Sequence, residues 1–550
     1  MKARDITASM SRARCAEDHD RHERDPVPMN VPRPHSIFIV GEVCRRRQFS
    51  ERFPGWLRPI RRCGAPVQPE RLDRSGSGGY TPVTMRIKTA ALILAAGQGK
   101  RMRSKLPKVL HPCAGEPLIV HVVRLALARG SDPIVVVVDP KGTRVREVLT
   151  ATFPKAPLRF VVQDKARGTG DAARVGLGAL PRFTGRVLVL YGDVPLLTSR
   201  TIARLNRALT GVSLAMLTAE LPRPLGYGRV IRRGQRVCAV VEEKDATQAE
   251  RQIREVNVGV YLCDVGLLQR AVSRLQSKNA QHEVYLTDVV AIAAQARGAV
   301  AVPADDSREV LGVNTRGELA AAEKVLRERL IGAHQARGVM FRDPENTFID
   351  AKVEIEADAV IGVGVQLVGN VTVGAGAQIE GPTFIRDSRI EADAQIRAFS
   401  HLDGAVVRRG ALVGPFARLR PGSILEANAR VGNFVELKKT RLGRGAKANH
   451  LAYLGDAQVG EGCNIGAGTI TCNYDSGPVK HPTRIEKQAF IGSNATLVAP
   501  VTIGERAYIA AGSTVTQDVP ADALAFGRAR QENREGYARR LRARIFKGSH

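Results

Sequence analysis

Aromatic residues are scarce in this chain, at 5% of 550 positions with a single Trp at 56. With 53 glycines beside them, that scarcity argues against an aromatic-rich sandwich. It suits a repetitive architecture with small residues at its corners. The eight cysteines are scattered, and none forms a Cys-x-x-Cys pair. Neither a metal cage nor a disulfide framework can be read from them, so reduced cytosolic thiols are the default. No apolar run is long enough to span a membrane. The N-terminus lacks the continuous apolar core of a secretory signal. A cytoplasmic protein without membrane insertion is expected. Acidic residues are also in deficit, 54 against 83 basic ones, for a net charge of +29. Such a charge suits nucleic acid, anionic membrane or phosphorylated substrates. No helix-turn-helix, zinc-finger or stacked-aromatic motif accompanies it, and basic clusters gather towards the two ends, at 45–47, 61–62 and 539–544. A generally arginine-rich composition is the simpler reading, and no nucleic-acid partner is expected. A salt-dependent DNA shift assay would expose one.

What is present falls into distinct stretches. Residues 1–84 are rich in Arg, Pro, Asp and Ser without sustained periodicity, and 76–80 reads as a flexible linker. Met85 then opens MRIKTAALILAAG, a natural first strand. Residues 1–84 are either a basic disordered extension or the product of a start assigned too far upstream. The abrupt change of composition at a methionine favours the second.

From 85 to 316 short apolar strands (90–94, 134–138, 160–162, 187–191) alternate with amphipathic helices (118–128, 171–179, 199–209). That alternation predicts an α/β domain with a mainly parallel, doubly wound sheet. The run LAAGQGKRMRSKLPKVL, residues 94–110, follows the first strand. Gly97 and Gly99 let backbone N–H groups approach a phosphate, and Lys100, Arg101, Arg103, Lys105 and Lys108 supply positive charge. Ligands of such sheets bind beyond the carboxyl ends of the strands, where Gly97 and Asp193 should converge. A nucleoside triphosphate site is the expectation.

Residues 317–339 read as one long helix within a connecting segment, 317–349. Over 350–527 an aliphatic residue, often followed by Gly, recurs near every sixth position: Val360, Val373, Val413, Val431, Val459, Ile465, Ile491 and Ile503. A six-residue period predicts a parallel β-helix. The aliphatic residues should stack inside a triangular prism while small residues turn its corners. Two stretches interrupt the pattern, a basic one at 438–453 and YDSGPVKHP at 474–482, and loops leaving a solenoid are natural places for binding groups. Residues 528–550 form a basic tail.

Several motifs resemble one family in order and over about residues 86–540. LAAGQGKRMRSKLPKVLH, GTGDA, YGDVPL, GYGRV, VEEKDA, EVNVGVY, YLTD and GVN are similar to its nucleotidyltransferase half. GPFARLRPGS, GNFVELKK, NHLAYLGD, NIGAGTITCNYD and APVTIG are similar to its β-helix half. The family is the bifunctional N-acetylglucosamine-1-phosphate uridyltransferase / glucosamine-1-phosphate N-acetyltransferase, the GlmU type. A left-handed parallel β-helix, a homotrimer and an acyl site between subunits are what the resemblance implies.

For the first reaction it implies uridylyl transfer from UTP to N-acetylglucosamine 1-phosphate, with release of pyrophosphate. Positioning and charge neutralisation carry such a step, without a protein nucleophile. By resemblance Arg101 and Lys108 are the phosphate-contacting, catalytic cations. Leu94, Ala95, Ala96, Gly97, Gln163, Gly168, Thr169, Tyr191 and Gly192 hold the uridine nucleotide. Asp193 and Asn314 ligate Mg²⁺, and Gly228, Glu242, Asn257 and Thr287 hold the N-acetylglucosamine moiety. Mg²⁺ uses few protein oxygens and keeps waters and substrate phosphates, which suits such a pair. One departure is visible: the family usually reads GTGHA where this chain has GTGDA. Asp171 is expected to weaken nucleotide binding slightly through its added negative charge.

For the second reaction the resemblance implies acetyl transfer from acetyl-CoA to the amine of glucosamine 1-phosphate. An amine is mostly protonated near neutral pH, so a general base helps, and His450 is the candidate. Arg420, Lys438, Tyr453, Asn464, Asn473, Tyr474 and Lys480 correspond to the sugar-phosphate site. Ala467, Ser493, Ala511 and Arg528 correspond to acetyl-CoA positions. The loop carrying Lys480 is one residue longer than in common relatives. A single-function sugar-1-phosphate nucleotidyltransferase with a merely trimerising β-helix is the alternative. It leaves Arg420, Lys438, His450 and Tyr453 without a purpose.

Overall fold

The computed structural model describes residues 87–97 and 99–546. The segment 1–84, its linker at 76–80 and Met85 lie outside the described residues.

The first strand, Thr89–Leu94, is apolar and buried from Ala90 onward, because a parallel strand is covered on both faces. It lies in the middle of a nine-stranded sheet. Ile134–Val138 and then Leu158–Val162 extend the sheet to one side, all parallel. Arg186–Tyr191 returns to its other side, also parallel. The chain therefore reverses its direction of growth beside Thr89–Leu94, and a crevice opens past the carboxyl ends of these two strands. Beyond Arg186–Tyr191 the sheet departs from the parallel expectation. Glu255–Asp264 runs antiparallel to both Arg186–Tyr191 and Leu214–Glu220. A hairpin, Arg229–Arg233 with Arg236–Val241, pairs onto its start. This antiparallel insertion carries Gly228, Glu242 and Asn257 to the side of the crevice.

The helices match expectation within two residues: Leu118–Ala128, Thr169–Leu177 and Ser199–Ala208. The long helix is Arg316–Gln335, one residue earlier than expected and four residues shorter at its end. Thr315 and Glu318 form a reciprocal capping box at its start.

The β-helix begins ahead of 350. Met340–Phe341 and Phe348–Ile349 already pair in parallel with the next coil. Three sheets of eleven, ten and nine strands make the three sides of the prism. In each two-residue strand the second side chain points in. Ile361, Ile379, Ile396, Val413 and Val431 are thus stacked and wholly buried. Burying one such side chain is worth about 1.5–3 kcal/mol. Corners are turned by non-glycine residues in the left-handed conformation as well as by glycine, among them Asp393, Asn428 and Asn494.

The basic stretch 438–453 does not interrupt the coils. Arg441 pairs with Gln458 and Lys447 with Asn464 in the ordinary register. Its cations occupy outward positions while Leu442, Ala446 and Ala448 fill the interior. The stretch 474–482 does interrupt them. Asn464 finds its partner only at Phe490, and a small loop is closed by the bridge between Tyr474 and Lys480. The tail contains a helix, Tyr537–Phe546, with no buried residue. Among the described residues no helix is long and apolar enough to cross a membrane. Cys113, Cys238, Cys263, Cys463 and Cys472 are free thiols.

Candidate active sites

The crevice at the switch point holds a cavity of about 360 Å³, lined by fifteen residues. Leu94, Ala95, Ala96 and Gly97 form one wall, and Gln163, Gly168 and Thr169 another. Tyr191, Asp193, Lys108 and Asn314 close its polar end. Sequence-predicted residues from five separate segments meet here.

The glycines have different jobs from those expected of them jointly. Gly99 is left-handed (φ +59), and a Cβ there would stand 2.6 Å from Lys108 Cβ. It is glycine so that the turn can close over Lys108. Gly97 has nothing within 4 Å of such a Cβ and lines the cavity, so its missing side chain leaves room for a ligand. Gly192 donates its N–H to the Leu94 carbonyl at 3.0 Å, tying the strand ends together below the turn.

Lys108 is the centre of the polar end. Its ammonium forms an ion pair with Asp193 Oδ2 and donates to Asn314 Oδ1 at 3.0 Å. Two oxygens converging on one cation make a donor pair of the kind Mg²⁺ accepts. Asn314 is held in turn: its N–H donates to Glu318 Oε2 at 2.7 Å, and Val313 N–H donates to the Asp193 carbonyl at 2.9 Å. Arg101 lies on the short turn Lys100–Met102, exposed and outside the lining of the cavity.

The expected sugar residues form a second group beside the first. Thr287 donates to Glu242 Oε1 at 3.1 Å, and Gly228 packs against Glu242. Asn257 N–H donates to the Gly228 carbonyl at 2.8 Å, and its side-chain amide donates to Tyr261 Oη at 2.8 Å. Burial holds the Glu242 carboxyl above its ordinary value, with Asp288, Asp245 and Glu283 adding to the effect and the Thr287 hydrogen bond opposing it. Tyr191 joins the two groups. Burial raises its phenol most, the hydrogen bond to Thr169 works the other way, and Glu242 and Asp193 both add to the rise.

Asp171 is held by partners on its own helix and on the cavity wall. It is 5% exposed, pairs with Arg174, and accepts from Gln163 Nε2 at 2.9 Å. Its charge is met by a cation on the same helix, and it does not line the cavity. Glu283, by contrast, lines the cavity and was not anticipated. Only its position just ahead of YLTD pointed to it.

Among the expected β-helix residues, His450 and Tyr453 flank one corner of the prism. His450 ends the strand Lys447–His450, and Tyr453 begins the strand on the adjacent side, Tyr453–Gly455. His450 Nδ1 lies 2.9 Å from Asn433 Oδ1 on the preceding coil. With that oxygen as acceptor the ring proton sits on Nδ1, and Nε2 keeps a free lone pair. Arg420 donates to Glu436 Oε1 at 3.0 Å, and Glu436 is register partner to Tyr453. Lys438 is opposite Gly455 on the same side, and Asn464 opposite Lys447 on the other. Asn433 and Glu436 both lie within GNFVELKK but gave no separate signal of their roles.

Ala467, Ser493 and Ala511 follow Ile465, Ile491 and Ile509 by two residues in successive coils, so they form a column along that corner. Asn494 N–H donates to the Ala467 carbonyl, Gly512 N–H to that of Ser493, and Arg528 Nη1 to that of Ala511. Asn473 is buried and donates to Asp456 Oδ2 at 2.5 Å, which makes it a brace of the fold. Lys480 lies over the Tyr474 ring, 3.3 Å from its centroid, out on the interrupting loop. Phe399, Phe416 and Phe434 stack in consecutive coils, with centroids 4.9 and 5.3 Å apart, and all are exposed.

Comparison with known proteins agrees with both halves. Residues 91–341 match the family model of the MobA-like NTP transferase domain, and 482–517 that of the bacterial transferase hexapeptide of six repeats. The Bifunctional protein GlmU of Sorangium cellulosum is 48% identical over 471 residues, covering 84% of this chain and 98% of that protein. Its counterpart from an Anaeromyxobacter species is 50% identical over 455 residues, covering 82% and 93%. That of Thermus thermophilus is 48% identical over 453 residues, covering 82% and 98%. With the switch-point crevice and the hexapeptide prism on one polypeptide, the chain belongs to the bifunctional GlmU family, which unites the uridyltransferase and acetyltransferase of UDP-N-acetylglucosamine synthesis.

Proposed function

We propose that the crevice carries uridylyl transfer and the prism corner acetyl transfer, with the residues in the following roles. The convergence of Lys108, Asp193 and Asn314 at one end of the cavity carries the first assignment. UTP lies against Leu94–Gly97 as the phosphate turn, with its base near Gln163, Gly168 and Thr169. N-acetylglucosamine 1-phosphate lies against Gly228, Glu242, Asn257 and Thr287, and its phosphate oxygen attacks the α-phosphorus in line as pyrophosphate leaves. Lys108 meets the charge that grows on the phosphoryl oxygens. Arg101 approaches the leaving pyrophosphate from the open side. Nucleotidyltransferases of this kind depend on a metal ion; Mg²⁺ is our assignment, Asp193 and Asn314 would hold it, and it would neutralise phosphate charge. Peptidoglycan and lipopolysaccharide precursors are the destination of the product.

At the prism corner His450 Nε2 takes the proton from the glucosamine 1-phosphate ammonium. The freed amine attacks the acetyl carbonyl, and coenzyme A leaves as the thiol. Arg420 and Lys438 bind the sugar phosphate, Arg420 by its planar fork, and Tyr453 and Asn464 flank the sugar. The column Ala467, Ser493, Ala511 and Arg528 supports acetyl-CoA.

A hexapeptide domain of this sort oligomerises. We assign a homotrimer, because the Phe399–Phe416–Phe434 stack is a contiguous apolar ladder along the corner that carries His450. Reliance on UTP and acetyl-CoA assigns the enzyme to the cytoplasm. One incubation tests both sites: glucosamine 1-phosphate, acetyl-CoA, UTP and Mg²⁺, with free thiol and pyrophosphate followed separately. UDP-N-acetylglucosamine forms only when both donors are present. No thiol release from acetyl-CoA with glucosamine 1-phosphate present, alongside pyrophosphate release when N-acetylglucosamine 1-phosphate is supplied separately, would reduce the prism to a scaffold.

A further inference from the structure

We infer that Asp171 is a positioning residue that fixes which end of the Gln163 amide faces the base, and so makes the pocket select uracil over cytosine. The inference rests on the nucleotide-pocket reading above. Gln163 and Asp171 are 6% and 5% exposed, at the side of the cavity that Gln163 lines. Gln163 Nε2 donates to Asp171 Oδ2 at 2.9 Å and to the Gly168 carbonyl at 3.2 Å.

A carboxylate and a carbonyl can only accept. The group facing both must therefore be the amide NH₂, and its two hydrogens are both used. The amide oxygen makes no hydrogen bond among the described residues, and it is the end left for a ligand. Arg174 pairs with the other carboxylate oxygen, Oδ1, and holds Asp171 in place on its helix.

An acceptor at that point complements the N3–H of uracil. Cytosine presents a lone pair at N3, so two acceptors would face each other in a nearly dry pocket. A glutamine without Asp171 could turn its amide over and offer the NH₂ instead. The carboxylate removes that choice. A buried charge that looked like a hindrance to nucleotide binding thus becomes the source of base discrimination.

The test uses the full chain, with pyrophosphate release measured from UTP and from CTP against N-acetylglucosamine 1-phosphate. Asp171→Asn keeps the shape but can itself donate, which lets Gln163 invert. The ratio of kcat/KM for UTP over CTP should fall about tenfold or more, the size of one relieved buried hydrogen-bond mismatch. Gln163→Ala should lower the ratio to a similar level, and adding Asp171→Asn to it should change the ratio no further. If Asp171→Asn does not fold, Asp171→Ser, whose hydroxyl can donate or accept, is read the same way. An unchanged ratio, with both nucleotides slowed equally, would make Asp171 a structural residue only and overturn the inference. Failure of the unaltered chain to use UTP at all would instead overturn the pocket reading.

Discussion

The two sites of this chain are built in opposite ways. In the crevice the groups we assign to the reaction are sunk between strands: the side chains of Lys108 and Asp193 are 12% and 15% exposed, and neighbours on several segments hold them. At the prism corner His450, Ser493 and Arg528 stand on the outside of a solenoid whose interior is purely structural. A twisted sheet has a natural cleft where its strand order reverses, so one chain can complete a site there. A β-helix has no such cleft, because its coils close on themselves and pack solid. Any enclosed site must come from a second surface laid against a corner. The exposed phenylalanine stack beside His450 offers the means of bringing one.

The largest effect that could break this contrast is expected from Asp193→Ala. It removes the carboxylate on which Lys108 converges, and pyrophosphate release should fall by about 10³-fold. Thiol release from acetyl-CoA should be unaltered, because no part of the prism corner touches Asp193. Loss of both activities would show that the sites are not independent. His450→Ala should do the reverse, lowering thiol release by about 10²-fold or more while pyrophosphate release stays constant.

Phe416→Asp sharpens the contrast further. Placed between Phe399 and Phe434, a carboxylate against a second copy would cost about 3–5 kcal/mol as an unpaired charge in the interface. Sedimentation should then report monomers, with acetyl transfer lost and uridylyl transfer retained. Monomers that still acetylate would show that one chain's corner is enough.

Legibility in the sequence follows the same divide. The prism was readable because its rule is local: each inward residue repeats after one coil, and a single period states the whole architecture. The crevice was readable as a set of motifs. Its geometry was less so, since the antiparallel insertion of Glu255–Asp264 depends on partners far away in the chain. Asp171 and the 438–453 stretch were read in the same way. Both readings judged charge from composition, whereas its effect depends on what the side chain faces: Arg174 and Gln163 in one case, solvent in the other. Partners that act across coils, such as Asn433 for His450 and Glu436 for Arg420, lie about one coil away and become visible only once the register is known.

The smallest effect concerns the boundary between binding and stability inside the crevice. Burial holds the Glu242 carboxyl above its ordinary value, with neighbouring acids adding to the rise. As pH falls, the native chain takes up this proton before the unfolded chain does. Stability from this group therefore grows as pH falls through that window, and above it the full penalty of the buried charge remains. Glu242→Gln removes the penalty but keeps an acceptor for the Thr287 hydroxyl. At pH 7 the unfolding midpoint should rise by about 2 °C, and the gain should vanish once the unfolded chain's carboxyl is also protonated. Uridylyl transfer should nonetheless weaken, through KM for N-acetylglucosamine 1-phosphate. Such a trade is the mark of a charge kept for its substrate. The same variant with lower stability at pH 7 would make Glu242 a structural group, and the sugar side of the crevice would have to be sought elsewhere along the antiparallel insertion.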